Sequence, residues 1–298
     1  MRSSRIFSAS TAVLMGALTT APAWSQSDIS SYALDTEVRL TTDLRSRGIS
    51  DSLNGPSAKL ALQWAHESGI SALAEINSVS KRQFTGGSGL AMLLGLGYRW
   101  GDPEGWHYGL GLAAELFPGA GVEAPHSLHP DTFEPQGFRR TRFNSTLAAL
   151  EVGWGNLDAR VINVLSRDYR GISTGTVCGS LLALRVDPTA GLECYGRGDR
   201  SARGTWLLDL SYKVSINATT TLVAHVGHQQ VRNFREANVT DYSLAVKHQR
   251  WGAEWTAEWI SPPDQGPRAL PGGRRRAPAY DRQQPRGADS GVQVLGPC

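Results

Sequence analysis

Residues 90–100 read LAMLLGLGYRW, and after a short break residues 106–116 read WHYGLGLAAEL. In the first run Leu90, Met92, Leu94, Leu96, Tyr98 and Trp100 fall on one side of an extended chain; Ala91, Leu93, Gly95, Gly97 and Arg99 fall on the other. In the second, Trp106, Tyr108, Leu110, Leu112, Ala114 and Leu116 oppose His107, Gly109, Gly111, Ala113 and Glu115. Alternation with period two marks a β-strand whose faces meet different surroundings. One face is large, apolar and aromatic at its ends, and the other carries glycine and charge. A soluble sandwich gives no reason to end its apolar face in Trp. A strand in a bilayer does, because aromatic rings settle where acyl chains meet headgroups.

The same pattern recurs along the chain. Trp206, Leu208, Leu210, Tyr212 and Val214 oppose Leu207, Asp209, Ser211 and Lys213, and Trp255, Ala257 and Trp259 oppose Glu254, Thr256 and Glu258. Periodicity and turn residues predict strands over 36–46, 57–67, 70–79, 89–100, 105–117, 145–154, 157–169, 204–215, 220–231, 240–250 and 253–261. The connections alternate between tight turns and longer segments (47–56, 80–88, 118–144, 170–203 and 232–239). Short periplasmic turns with longer extracellular loops are the habit of outer-membrane barrels, and this places the N-terminus on the periplasmic side. The expected fold is all-β: an antiparallel transmembrane β-barrel of about twelve strands. A closed barrel needs an even count and no bare edge in lipid, so one more strand must follow Pro262. Only 291–295 in the tail has strand character. The tail 264–298, basic and rich in Pro, Gly and Arg, is expected to be disordered. Two other sources for the missing strand stay open: a tail altered by a change of reading frame, or 179–186, which fits better as an insertion within its loop.

Composition agrees with a barrel. Of 298 residues 40% are hydrophobic and the mean hydropathy is −0.28, too polar for a helical membrane protein. No run of about 18 apolar residues occurs. The net charge is +3, but the positive excess sits at the two ends, and 26–263 is slightly acidic. A nucleic-acid partner would need a basic face that this body lacks. Arg2 and Arg5, the apolar run 6–20 and Ala23-Trp24-Ser25 read as a signal peptide over 1–25, with the barrel occupying 26–263. Export to an oxidising compartment makes Cys178 and Cys194 a candidate disulfide, with two free thiols as the alternative and Cys298 left over.

At 41–50 the chain reads TTDLRSRGIS, and at 65–69 AHESG. Together with the periodicity these resemble a family of proteobacterial outer-membrane proteins called Gcw_chp, or the TorF family of porins. Members typically show T-x-D-Y-x-x-R-G-I-S and a strand ending in H-x-S-G; here Leu44 replaces the Tyr. The likeness is strongest over 36–80 and fades beyond 261. The family's name implies a porin but rests mostly on architecture, so the resemblance supports the barrel more than transport.

Charges in mid-strand are the candidate lumen lining: Arg39, Asp43, Arg45, Glu67, Arg99, Glu115, Glu151, Asp209, Lys213, Lys247, Glu254 and Glu258. Each central Arg or Lys placed in hydrocarbon would cost roughly 2–4 kcal/mol, so they should face inward, either lining water or neutralising one another. Trp100, Trp106, Trp154, Trp206, Tyr212, Trp251 and Trp259 are the candidate aromatic girdle. Arg45, Arg47, Gly48 and Ser50 read either as a basic cluster at the channel mouth or as a turn whose arginines meet carboxylates or lipopolysaccharide phosphates. His126 and His129 beside Asp131 read as a solvated loop rather than a metal site. His225 and His228, at odd spacing, point to opposite faces. No catalytic motif or cofactor signature occurs. The expectation is a non-enzymatic, porin-like channel in the outer membrane of a Gram-negative bacterium, passing small solutes by passive diffusion. Lipid, lipopolysaccharide and the barrel-assembly machinery would be its partners. A non-transporting structural or adhesive barrel with ligand-binding loops is the alternative.

Overall fold

The computed structural model describes residues 31–183, 188–261 and the backbone of 291–295. The expected signal peptide, and the tail apart from 291–295, lie outside the described residues. In chain order the strands are β1 (Tyr32–Thr41), β2 (Arg45–Ser46), β3 (Ile49–Ser50), β4 (Ser57–His66), β5 (Ile70–Ser78), β6 (Leu90–Gly101), β7 (Trp106–Leu116) and β8 (Gly121–Leu128). They continue with β9 (Pro135–Arg142), β10 (Ser145–Trp154), β11 (Leu157–Val164), β12 (Trp206–Asn217), β13 (Thr220–Gln230), β14 (Val239–Arg250), β15 (Ala253–Ile260) and β16 (Gly291–Leu295). Two helices, α1 (Thr174–Ala183) and α2 (Pro188–Gly196), lie between β11 and β12.

Twelve of these strands close a barrel in the order β1-β4-β5-β6-β7-β10-β11-β12-β13-β14-β15-β16 and back to β1. Every pairing in it is antiparallel. The seam is made by β16, which pairs Val292 with Ala257 on one side and Val294 with Leu40 on the other. Closure matters because an unpaired backbone N–H or C=O in hydrocarbon costs several kcal/mol. β2–β3 and β8–β9 form separate two-stranded hairpins off the wall.

The period-two pattern sorts side chains as hydrocarbon requires. Leu96, Leu112, Leu60 and Leu40 point outward and are at least half exposed, whereas Glu37, Arg39, Lys59, Gln63, Glu75 and Glu151 point inward and are buried. A monomer in water would not expose so continuous an apolar belt. Tight turns join strands at one rim and the longer connections at the other. At Gly69 (φ 92°) a Cβ would lie 2.1 Å from the Arg99 carbonyl oxygen, so only glycine fits. Trp251 and Gly252 both have positive φ, as a two-residue primed hairpin turn demands. Tyr98, Trp100 and Tyr108 stack beside one another at this rim, Trp106 lies beside Trp154, and Trp251 meets Trp255. The opposite rim has sparser rings, Trp206, Tyr242 and Trp259.

Three expectations about elements need correction. The predicted strand 36–46 leaves the wall at Thr41, and 157–169 leaves it at Val164. In both, the alternation runs on into segments that fold over the barrel mouth. The segment 118–144 is not an irregular loop but carries the β8–β9 hairpin, paired from Gly121↔Arg142 to Leu128↔Pro135. The described part of 179–186 is helix, the end of α1, in line with the insertion within its loop that the sequence favours over a strand.

Candidate functional site

On β10, β11 and β12 the lumen divides by depth. Toward the long-loop rim, inward-facing Leu147, Ile162, Val164 and Leu207 pack against loop residues Tyr169, Val177, Cys178, Leu181, Cys194, Phe234 and Ala237 in one buried cluster. A neighbouring cluster joins Phe84 and Phe117, stacked at 4.2 Å, with Phe143 edge-on to Phe84. The disulfide Cys178–Cys194 (Cα–Cα 5.4 Å) holds α1 to α2 in this cap.

Arg170 sits where these parts meet. Its guanidinium donates to Ser46 Oγ and to Asp51 Oδ2 (2.6 Å), lies 3.6 Å from Glu115, and stands over the Phe84 and Phe117 rings. Burial opposes its charge, but Asp51 and Glu115 outweigh burial and hold its pKa above the usual arginine value. Beside it, burial pushes the Tyr169 phenol well above its ordinary pKa, and its hydroxyl donates to Gln229 (3.0 Å). The segment carrying β2 and β3 also reaches inward. Gly48 takes φ 71° at its tip, and Arg47 crosses the lumen to grip Asp209 on β12 through both terminal nitrogens (2.5 and 2.8 Å). His225 lies 3.5 and 3.6 Å from Asp209 and Asp241 in the same cluster.

Away from these clusters the lining is polar. On β1, β4 and β5, Glu37 pairs with Arg39 (2.6 Å) and Lys59 (3.0 Å), and Lys59 reaches Glu75 (3.5 Å). Lys247 pairs with Glu254 (3.2 Å). Glu151 accepts from Arg99 (2.6 Å) and Arg160 (2.7 Å), and Asp158 accepts from Lys213 (3.0 Å) and meets His107 (3.0 Å). His107, Glu151 and Asp158 have ligand atoms within 4.8 Å of one another. Three cations already occupy those carboxylates, so a divalent metal would have to displace them. Between this group and the apolar cap lies a partly open cavity of about 100 Å³, against the wall of β5, β6, β7 and β10. Gly95, Gly97, Gly109 and Gly111 contribute no side chains to it.

Of the candidate lumen residues, Arg39, Arg99, Glu115, Glu151, Asp209, Lys213, Lys247, Glu254 and Glu258 lie on the inward register of the wall. Asp43 and Arg45 do not: they pair with each other (2.6 Å) on the inward-folded segment. Glu67 is exposed on the first tight turn, one residue past β4, and lines nothing. Trp100, Trp106, Trp154, Trp206, Tyr212, Trp251 and Trp259 are all at least two-fifths exposed on the outer surface. His126 is a correction too. It is buried, not solvated, and meets Asp199 (2.8 Å), while His129 accepts from the Asp131 and Thr132 amides. Sequence reasoning missed Glu37, Lys59, Gln63, Glu75, Asp158 and Arg160, although each shares the inward parity of its strand, and it placed His107 on that face without assigning it to the lining. It also missed Arg170, for which no local signal exists.

The family model described as a bacterial protein of unknown function, Gcw_chp, matches residues 25–276. The chain belongs to the Gcw_chp family. No curated protein matches it. Among solved structures, the NanC porin is 11% identical, with 88% of this chain and 97% of that one covered at a TM-score of 0.42. The Salmonella typhi OmpF complex with daunomycin is 6% identical, covering 89% and 97% at 0.37. The barrel of this Gcw_chp member therefore rests on its own strand register.

Proposed function

We propose that this Gcw_chp protein is a narrow outer-membrane channel of a Gram-negative bacterium, through which small solutes diffuse passively. The cavity beneath the cap carries the reading. A barrel of this size that served only as a scaffold would fill its interior with side chains, whereas this one places four glycines on one stretch of inner wall. The paired charges around the rest of the lower lumen give a polar path at little electrostatic cost. Solutes would enter past the loops 118–144 and 170–203, and Arg47 and Arg170 would have to yield. Lipid, lipopolysaccharide and the assembly machinery would be its surroundings; no catalytic or cofactor step enters the mechanism.

The test is single-channel recording of refolded protein in planar bilayers. Discrete steps that grow when Arg170 is replaced are expected. A flat trace for both proteins would sink the channel reading in favour of a closed structural or adhesive barrel, which the apolar cap itself favours.

A further inference from the structure

Three inward positions lie side by side across β12, β13 and β14: Asp209, Gly227 and Asp241. Strand pairing thus puts a carboxylate on either side of a residue with no side chain. Arg47 lies against that glycine. Its Nη1 and Nη2 fork onto Asp209 (2.5 and 2.8 Å), and Nη1 also donates to the Leu208 carbonyl (3.3 Å). A Cβ on Gly227 would fall 2.3 Å from Nη1, so the seat exists only because residue 227 is glycine. His225, the next inward residue of β13, closes one side. Its Nε2 is 3.5 and 3.6 Å from the two carboxylates, and its Nδ1 is 3.1 Å from Ser211 Oγ.

The seat offers more than Arg47 uses. The Asp241 side chain is only 7% exposed, and its Oδ1 meets no hydrogen-bond donor among the described residues. Arg47 Nη1 stands 3.9 Å from it, beyond hydrogen-bond reach. Arg160, opposite Asp209 in the register, donates to Glu151 instead (2.7 Å). The strap that carries Arg47 is not part of the wall, because β2 and β3 pair only with each other. Arg47 itself holds φ 54°, a left-handed conformation that few residues other than glycine adopt. An arginine tethered in this way serves one carboxylate. A free guanidinium, with its five N–H donors, can fork onto one and reach the other.

We propose that the seat formed by Asp209, Gly227 and Asp241 binds a small organic cation bearing a guanidinium, and that Arg47 holds the place of this ligand until it arrives. The proposal rests on the channel reading and names the class of solute that the seat selects. When Arg47 withdraws, two carboxylates lose their counter-charge, which is costly in a protein interior. A guanidinium restores it with the same fork, whereas an ammonium offers only a point charge. An anion meets two carboxylates and is repelled.

The measurement is equilibrium binding of ethylguanidinium, propylammonium and propionate to the full chain refolded in lipid nanodiscs, with heat-modifiable gel mobility as the folding control. Arg47→Ala empties the seat and should bind ethylguanidinium saturably, at least about tenfold more tightly than the unsubstituted chain does. Propylammonium should bind Arg47→Ala about tenfold more weakly than ethylguanidinium, and propionate not at all. On the Arg47→Ala background, Asp241→Asn and Gly227→Ala should each weaken ethylguanidinium by about tenfold or more. The atoms nearest a Cβ at 227 are the ends of the Arg47, Asp241 and His225 side chains, so Gly227→Ala fills the seat and leaves the strand register intact. If Arg47→Ala folds poorly, ethylguanidinium should restore the heat-modifiable form, because a ligand of the folded state stabilises it. Neither saturable binding nor restored folding, equal affinity in the unsubstituted chain, equal affinity for propylammonium, or indifference to Asp241→Asn would each overturn the proposal. Binding does not require conduction, so the two readings fail separately. Ethylguanidinium bound without channel steps keeps the seat and removes the pore; channel steps without bound ethylguanidinium keep the pore and remove the seat.

Discussion

The two halves of the lumen are built by the same strands to different rules. Down β10, Leu147 faces inward near the long-loop rim and Glu151 faces inward nearer the tight-turn rim. Along β11 Ile162 and Arg160 repeat the contrast, and along β12 Leu207 and Asp209 do so again. Parity says which side of the wall a residue meets; depth says whether that side is a protein core or a polar interior. Where loops fold in, the inner wall behaves like the inner face of a soluble barrel. Where they do not, it carries paired charge and bare glycine.

The largest effect should come from the cap's central cation. In Arg170→Met, Asp51 and Glu115 lose their buried counter-charge. Removing one partner from a buried ionic group costs about 3–5 kcal/mol. Urea unfolding of the refolded barrel should shift by that amount, and conductance should rise; an unchanged midpoint would mean that the halves are not energetically distinct. Next in size is the disulfide. Cys178 and Cys194 are 16 residues apart, and a loop of this length is worth about 3 kcal/mol in the chain-entropy account. Cys178→Ser with Cys194→Ser should make the 170–203 segment readily cleaved by protease, leaving the strands protected.

Much of the wall is legible in the sequence. The inward and outward registers of β6, β7 and β12 follow directly from alternation, and Gly-rich or Pro-rich breaks locate the turns. The cap is not legible there. Arg47 meets Asp209 across 162 residues and Arg170 meets Asp51 across 119, and no short window carries such pairings. Leu165 and Tyr169 fall on the outward parity of β11 after the chain has left the wall, with Arg167 between them, so the pattern alone overruns that strand. His126 sits in a polar-looking segment against which α1 and α2 pack, and its partner Asp199 arrives from beyond α2.

Smaller effects sharpen the contrast. The Asp158–Lys213 pair in the lower half is partly exposed on both sides, so Lys213→Met should cost only about 0.2–1 kcal/mol in the same urea assay. A loss as large as that of Arg170→Met would erase the distinction. The slightest change concerns pH. Burial works against the Asp199 charge, but the His126 hydrogen bond, Arg139 and Arg167 outweigh it and set its pKa below the usual 3.8. A carboxyl depressed on folding adds stability that is complete above its unfolded pKa and fades as pH falls through the folded one. Protease sensitivity of the β8–β9 hairpin should therefore stay level from neutral pH to about 4 and rise only below that. A rise already at pH 5 would show that Asp199 does not hold the hairpin.

The uneven aromatic rims bear on how the barrel sits in its bilayer. Stacked rings at the tight-turn rim act as a vertical anchor against one leaflet, and the sparser rim opposite has less to fix it. When hydrocarbon thickness differs from the apolar height of the wall, the mismatch should be absorbed at the loop rim, by local thinning or tilt. Polar groups grouped near the well-anchored rim would then hold a constant depth while the cap rises and sinks with the membrane.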